Sequence, residues 1–309
     1  MINSALNRFL FKRKIRQVLQ TQPLKYRLDD SITVVSMVGS STVSMYLVAI
    51  KSFMENFGYG AIEVINDGTL TIEDISMLKH QIPNLNISLA SEVDTHGCPT
   101  YISWKRLFRI QKLAETSYVI QLDSDTVSLG PLVEVHDRVI NNVGYLIGSE
   151  RWGKAVNVEL LRDIVSQWDN THVQPLAEIN FHKMSFFSDG TKYIRACAGF
   201  AGYPKGFATI EQIKELSDEI ESYIGKTWHG WGSEQTATMC LISKTKNASV
   251  LPWPYYQNFK FPQSNECIKS MNFIHFIGSN RFDSGIYKGL LTSLFEKWQR
   301  TGSSNKGSL

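Results

Sequence analysis

Two rhythms of apolar residues run through the first half of this chain, and together they predict alternating strands and helices. Ile32–Val38 is a short apolar run rich in β-branched residues, followed by Gly39-Ser40-Ser41-Thr42 and then by apolar residues at Val43, Tyr46, Leu47, Ile50, Phe53, Met54 and Phe57. A strand, a turn and an amphipathic helix account for that order, with Gly58 ending the helix. Residues 62–65 predict a second strand, closed by the turn signal Asn66-Asp67-Gly68. Thr71-Ile72-Glu73-Asp74 reads as a capping box for a helix that Pro83 stops, and residues 85–89 predict a third strand. A helix over 101–115 then leads into an apolar strand over Tyr118–Leu122. The fold class expected is α/β, with a mostly parallel, doubly wound sheet whose ligands bind at the carboxyl ends of its strands.

Beyond that point the alternation is less regular. Thr209 and Gln212 bracket the start of a helix whose apolar stripe, Ile210, Ile213, Leu216, Ile220 and Ile224, ends at Gly225. No internal repeat or linker separates the halves, so a single domain is expected over 30–283. Residues 1–29 form a basic amphipathic segment, with Arg8, Lys12, Arg13, Lys14 and Arg16 among Leu6, Phe9, Leu10, Ile15 and Leu19. A C-terminal amphipathic helix is expected over 284–300, and a disordered tail over 301–309. Either terminal helix can lie on an anionic membrane surface or dock on the domain.

Composition narrows the function classes. Lys plus Arg number 32 against 29 for Asp plus Glu, a net charge of +3 that gives no electrostatic case for nucleic acid. Cys98, Cys197, Cys240 and Cys267 are widely spaced, which argues against a zinc knuckle, a dithiol motif or a disulfide framework, and a reducing compartment fits. The uncharged stretch over 31–50 is long enough to raise a membrane span, but seven Ser or Thr residues and Gly39 interrupt it. No cleavable apolar leader is seen at the N-terminus, so a cytoplasmic protein is expected, and the acceptor triplets at Asn86 and Asn247 read as coincidental.

The chemistry concentrates in Val119-Ile120-Gln121-Leu122-Asp123-Ser124-Asp125-Thr126, an apolar strand running into two carboxylates. Strand alternation would point Asp123 and Asp125 the same way at the strand's exit. Two hard oxygen donors of this kind suit magnesium or manganese with a diphosphate. The competing reading of the triplet is a polar turn closing a strand.

With these motifs in order, residues 31–282 resemble nucleotide-sugar glycosyltransferases of the type A fold, particularly family 8, which includes glycogenin and bacterial lipopolysaccharide galactosyltransferases. The resemblance implies that Asp125 binds the metal, Mn2+ or Mg2+, and that Asp123 binds both the metal and the donor's ribose. His275, in Phe273-Ile274-His275-Phe276-Ile277-Gly278-Ser279-Asn280-Arg281, looks like the family's His-x-x-Gly-x-x-Lys signature and would complete the metal site. Gly278 would let backbone approach the diphosphate, and Arg281 stands where the lysine is usual, keeping the charge. Arg106 lies at the place of a donor-binding arginine, and Asp67 where fold relatives bind the nucleoside. Gly232-Ser233-Glu234-Gln235 resembles the family's Asp-Gln pair, so Glu234 would contact the donor sugar and Gln235 would lie near the anomeric carbon. In Ala196-Cys197-Ala198-Gly199-Phe200, Cys197 replaces the asparagine of an Asn-x-Gly motif, which removes one sugar contact.

The function implied is metal-dependent transfer of a sugar, with retention, from a nucleoside diphosphate sugar, by default a UDP-sugar, to a glycan or lipid-linked sugar acceptor. If Glu234 reached the acceptor hydroxyl it could serve as general base in an inverting displacement. Trp228, Trp231, Trp253, Tyr255 and Tyr256 are candidates for stacking on an acceptor sugar or for the core. Two other classes fit parts of the pattern. Asp123-Ser124-Asp125-Thr126-Val127 matches the opening motif of haloacid dehalogenase-like phosphohydrolases, with Asp123 as nucleophile, although that motif follows the first strand of its fold. A non-catalytic sugar-nucleotide binder would keep the same fold.

Overall fold

The computed structural model describes residues 2–169, 171–259, 265–283 and 285–303. Its strands are β1 (Ile32–Val38), β2 (Ala61–Asn66), β3 (Asn86–Leu89), β4 (Tyr118–Leu122), β5 (Thr126–Ser128), β6 (Tyr145–Ile147), β7 (Cys197–Tyr203), β8 (Ser249–Leu251), β9 (Tyr256–Asn258) and β10 (Phe273–His275). Seven form a central sheet in the order β3-β2-β1-β4-β7-β6-β8. The first four of these are mutually parallel, and β7 runs antiparallel to both β4 and β6. The mostly parallel α/β sheet expected from the pattern is the one observed.

Both faces of the sheet are covered, so that β2, β4 and β7 are buried along their whole length and β1 almost so. Val34 and Ile120 belong to one core, and their chain neighbours Val35 and Val119 belong to the other. Helix Val43–Phe57 packs in the first core and helix Ile102–Ala114 in the second. The local signals act as expected. Gly58 caps its helix at φ 91°, a left-handed conformation that favours glycine. Thr71 and Asp74 exchange the two capping-box hydrogen bonds at 3.1 Å each, and Thr209 and Gln212 do the same at 3.2 and 2.9 Å.

A second, three-stranded sheet, β5-β10-β9, has no counterpart in the sequence reading. In it β10 pairs antiparallel with β5, placing His275 opposite Thr126, and parallel with β9, placing His275 opposite Asn258. The termini pack beside each other. Helix Ile2–Ile15 buries Phe11 and Ile15, and the Phe11 ring lies 5.0 Å from that of Tyr287 in helix Ile286–Ser303. Much of the N-terminal apolar face is therefore spent on docking, while Leu6 and Phe9 stay exposed. The C-terminal helix runs to Ser303, into the segment expected as tail, and residues 304–309 lie outside the described ones. Among the described residues no helix is long and apolar enough to cross a membrane.

Candidate active site

Strand β4 ends at Leu122, so strand alternation does not bring the two aspartates together, contrary to the expectation from the sequence. A pinned turn does. The Asp123 amide donates to the Gly199 carbonyl of β7 (2.9 Å), Thr126 Oγ1 donates to the Asp123 carbonyl (2.8 Å), and the Phe276 amide donates to the Asp125 carbonyl (2.8 Å). Backbone partners on both sides thus hold Asp123-Ser124-Asp125 between the two sheets, and the carboxylates converge on His275 at the end of β10. His275 Nε2 lies 3.2 Å from Asp125 Oδ1 and 3.9 Å from Asp123 Oδ2. One donor atom from each of the three residues falls within 4.8 Å of the others.

The donor set fits a divalent cation. Two carboxylates are hard oxygen ligands, and one imidazole nitrogen is accepted by borderline ions such as manganese. A further observation supports the fit: Asn258 Oδ1 lies 3.0 Å from His275 Nδ1, so the ring donates there and turns Nε2 to the carboxylates. Such an outer contact fixes both the tautomer and the orientation of a ligating histidine. Gly199 makes room, because a Cβ there would collide with the His275 ring. Cys197 Sγ also lies 3.5 Å from Nδ1. Burial would lower the His275 pKa, but the Asp125 carboxylate and Cys197 outweigh it and push it well up. Burial would raise the Asp125 pKa, yet His275 and then Arg281 hold it low.

Arg106 joins this corner to the opposite wall. Its Nη1 donates to Asp123 Oδ1 at 2.7 Å, and its Nη2 approaches the two Glu234 oxygens at 3.4 and 3.3 Å. It is not a solvated helix residue, since its side chain is only 13% exposed. Burial opposes the guanidinium charge, but Glu234 and Asp123 outweigh it and raise the pKa. Burial raises the pKa of Glu234 against the pull of Arg106, and does the same for Asp123 against Arg106 and His275.

Gln235 follows Glu234 at the start of helix Ser233–Ser243, and its amide is oriented by a buried chain of hydrogen bonds that the sequence did not reveal. Gln235 Oε1 accepts from the Ala198 amide (3.4 Å), and Nε2 donates to Gln174 Oε1 (3.5 Å). Gln174 Nε2 donates to Glu178 Oε1 (2.7 Å), and Glu178, wholly buried, also accepts from Tyr193 (3.2 Å) and Arg195 (3.0 Å). Because Glu178 can only accept when ionised, Gln174 must present its oxygen to Gln235.

Every predicted site residue except Asp67 lines one cavity of about 530 Å³, within the size range of small-molecule sites. Gly278 sits in it at φ 59°, and Arg281 Nε lies 3.5 Å from Asp125 Oδ2 while donating to the Gly278 carbonyl (2.8 Å). Asp67 stands apart, in the turn after β2. There it accepts from the amide and hydroxyl of Thr69 (2.9 and 2.7 Å) and blocks any Cβ on Gly39. Of the aromatic candidates, Trp228 and Tyr256 are fully buried core residues whose polar atoms bond Ser217 and Glu134, which removes them from an acceptor site. Only Trp231 among the five lines the cavity.

The fold is that of the type A glycosyltransferases. A solved structure of galactosyltransferase LgtC with donor and acceptor sugar analogs superposes with TM-score 0.51 at 13% identity, covering 84% of this chain and 95% of that one. The bifunctional glycosyltransferase WbbM gives 0.46 at 16% identity over 83% of this chain, which spans only 47% of WbbM. The mannosyltransferase Ktr4p of S. cerevisiae gives 0.42 at 12% identity, covering 78% of this chain and 74% of that one. No protein-family model matches the sequence, and no curated protein matches it.

Proposed function

We propose that this protein is a divalent-cation-dependent glycosyltransferase that moves a hexose from a nucleoside diphosphate sugar, by default a UDP-hexose, to a hydroxyl of a glycan or lipid-linked sugar, with retention. The observation that supports it most is the convergence of Asp123, Asp125 and His275 at one end of a cavity whose other wall is Arg106, Glu234 and Gln235. Those three ligands would hold Mn2+ or Mg2+, which supplies Lewis-acid stabilisation of the departing diphosphate.

The chain's own groups do the rest. Arg281, beside Asp125, offers a second positive charge to the diphosphate, and the left-handed Gly278 keeps backbone close to it. Arg106 and Glu234, locked together, present a fixed polar surface to the donor sugar. Gln235, oriented by Gln174, sets its carbonyl oxygen beside the carbon that gains positive charge as the leaving bond stretches. Glu234 is 4% exposed and committed to Arg106, which favours retention over a displacement using it as general base. The phosphohydrolase reading loses support: Asp123 follows the fourth strand in chain order, not the first, and its carboxylate is tied to Arg106. A cytoplasmic location is part of the reading. So is optional contact with anionic membrane, through exposed Leu6 and Phe9 beside Arg8 and Lys12.

The test is a screen of nucleotide sugars for manganese-dependent release of the nucleoside diphosphate, with Asp125→Ala and His275→Ala alongside. Turnover by the wild type and loss in both variants is expected. Donor binding without turnover across all acceptors would instead favour a non-catalytic binder, and hydrolysis of a generic aryl phosphate the phosphohydrolase.

A further inference from the structure

We propose that Trp231 is the stacking platform on which a pyranose acceptor lies, a reading that rests on the transferase activity proposed above. A tryptophan joins a broad apolar face to a polar N–H, which suits it to a ligand that is apolar on one face and polar at its edge. Trp231 is 66% exposed, although its near neighbour Trp228 is fully buried. The backbone holds it out. It stands between Gly230 and Gly232, and Gly232 has φ 99°, a left-handed conformation that makes the chain turn sharply into helix Ser233–Ser243.

Gly232 is also pressed against the His172 ring, so that a Cβ there would clash. His172 in turn meets the indole in a T-shaped contact with centroids 5.1 Å apart and planes at 76°. Its own position is set by helix Val173–Glu178, which it caps, Nδ1 accepting from the Gln174 amide at 3.3 Å. The indole is therefore braced on one side, with most of its surface in water. Trp231 and Gln235 line the same cavity, so a ring lying on the indole would share that space with the transfer point. A pyranose suits this place: its C–H face covers the indole while its hydroxyl edge reaches into the polar cavity.

The experiment compares wild type, Trp231→Ala and Trp231→Tyr by nucleoside diphosphate release from the active nucleotide sugar, alone and with a panel of α- and β-methyl hexosides. Donor hydrolysis without hexoside is measured for each as its own baseline, against which stimulation is read. The half-saturating hexoside concentration should rise about tenfold in Trp231→Ala and return most of the way in Trp231→Tyr. Equal saturation of Trp231→Ala and wild type would overturn the platform, as would wild-type turnover that no hexoside stimulates. If the wild type hydrolyses no nucleotide sugar, the proposed activity fails. Hexoside quenching of tryptophan fluorescence then decides the platform alone, its loss in Trp231→Ala supporting it and its persistence or absence in wild type refuting it.

Discussion

The cavity has two ends built on opposite plans. At the inner end Asp123, Asp125, His275, Arg106 and Glu234 are crowded, mostly buried and mutually paired, so that each charge is held by the next. At the outer rim Trp231 is largely in water, held by a glycine turn and the edge of His172. Removing one member of the inner set leaves the others buried and uncompensated, whereas trimming the rim leaves the fold alone. Damage at the inner end should thus reach stability and every reaction step, and damage at the rim should touch only what the rim contacts.

The largest effects are expected from Asp125→Ala, which removes a proposed ligand and the partner of His275. Transferase turnover should fall about 10³-fold or more, corresponding to several kcal/mol of lost transition-state stabilisation, in assays of nucleoside diphosphate release. Arg106→Met breaks the same set from the other side, leaving Glu234 buried without a counter-charge. A loss of about 3–5 kcal/mol in denaturant unfolding is expected. Asn258→Leu keeps all three proposed ligands but frees the His275 ring, and should weaken manganese binding about 10–100-fold in a direct titration.

The inner end should also respond to pH. The pKa of His275 is raised, and a metal ligand must be the neutral ring, so binding releases a proton. Manganese affinity should therefore fall as pH drops, by about tenfold per unit below that raised pKa. A pH-independent affinity between pH 6 and 8 would remove His275 from the ligand set. Between the two ends, Gln174→Met removes the acceptor that orients Gln235 as well as a donor to Glu178, and should lower kcat about tenfold with the donor KM unchanged. A change in KM of the same size would mean that Gln174 supports binding rather than positioning.

The smallest effect lies outside the cavity and serves as a control for it. Lys51 is buried, and burial lowers its pKa to about 8, while it donates to Thr21, Gln22 and Gln81 and so ties residues 21–22 to the domain. Between about 8 and the ordinary value of 10.5 the unfolded chain binds more protons than the folded one, so stability should rise with pH through that window. Lys51→Met should abolish that slope in thermal melts without altering turnover.

The parts legible in the sequence are those with a local signature. Strands β1, β2 and β4 announce themselves as short apolar runs and their helices by period, and Thr71, Thr209 and Gly58 mark helix ends through bonds to near neighbours. Strands β5, β9 and β10 have three residues each, too few for any period to show, so the small sheet went unseen. His275 could be picked out only because its surroundings resemble a family motif. Asn258, which aims that ring, and the Gln174–Glu178 chain behind Gln235 act across long stretches of sequence, and nothing in their own neighbourhoods marks them. The cause assigned to the convergence of Asp123 and Asp125 was mistaken even though the convergence is real: a turn held by β7 and β10 performs what strand alternation was expected to do.

That turn has an implication for how the molecule matures. Asp125 immediately precedes β5 and His275 ends β10, and the pairing of His275 with Thr126 belongs to the ladder that closes the small sheet. An ion gripped by both residues would act as a clasp over that closure, and its binding energy would favour the folded ladder over the open one. During synthesis the clasp has nothing to fasten until the ribosome has released β10. Cation capture should then be among the last events of folding, and chelation should loosen β5 and β10 in hydrogen exchange before it disturbs the parallel strands.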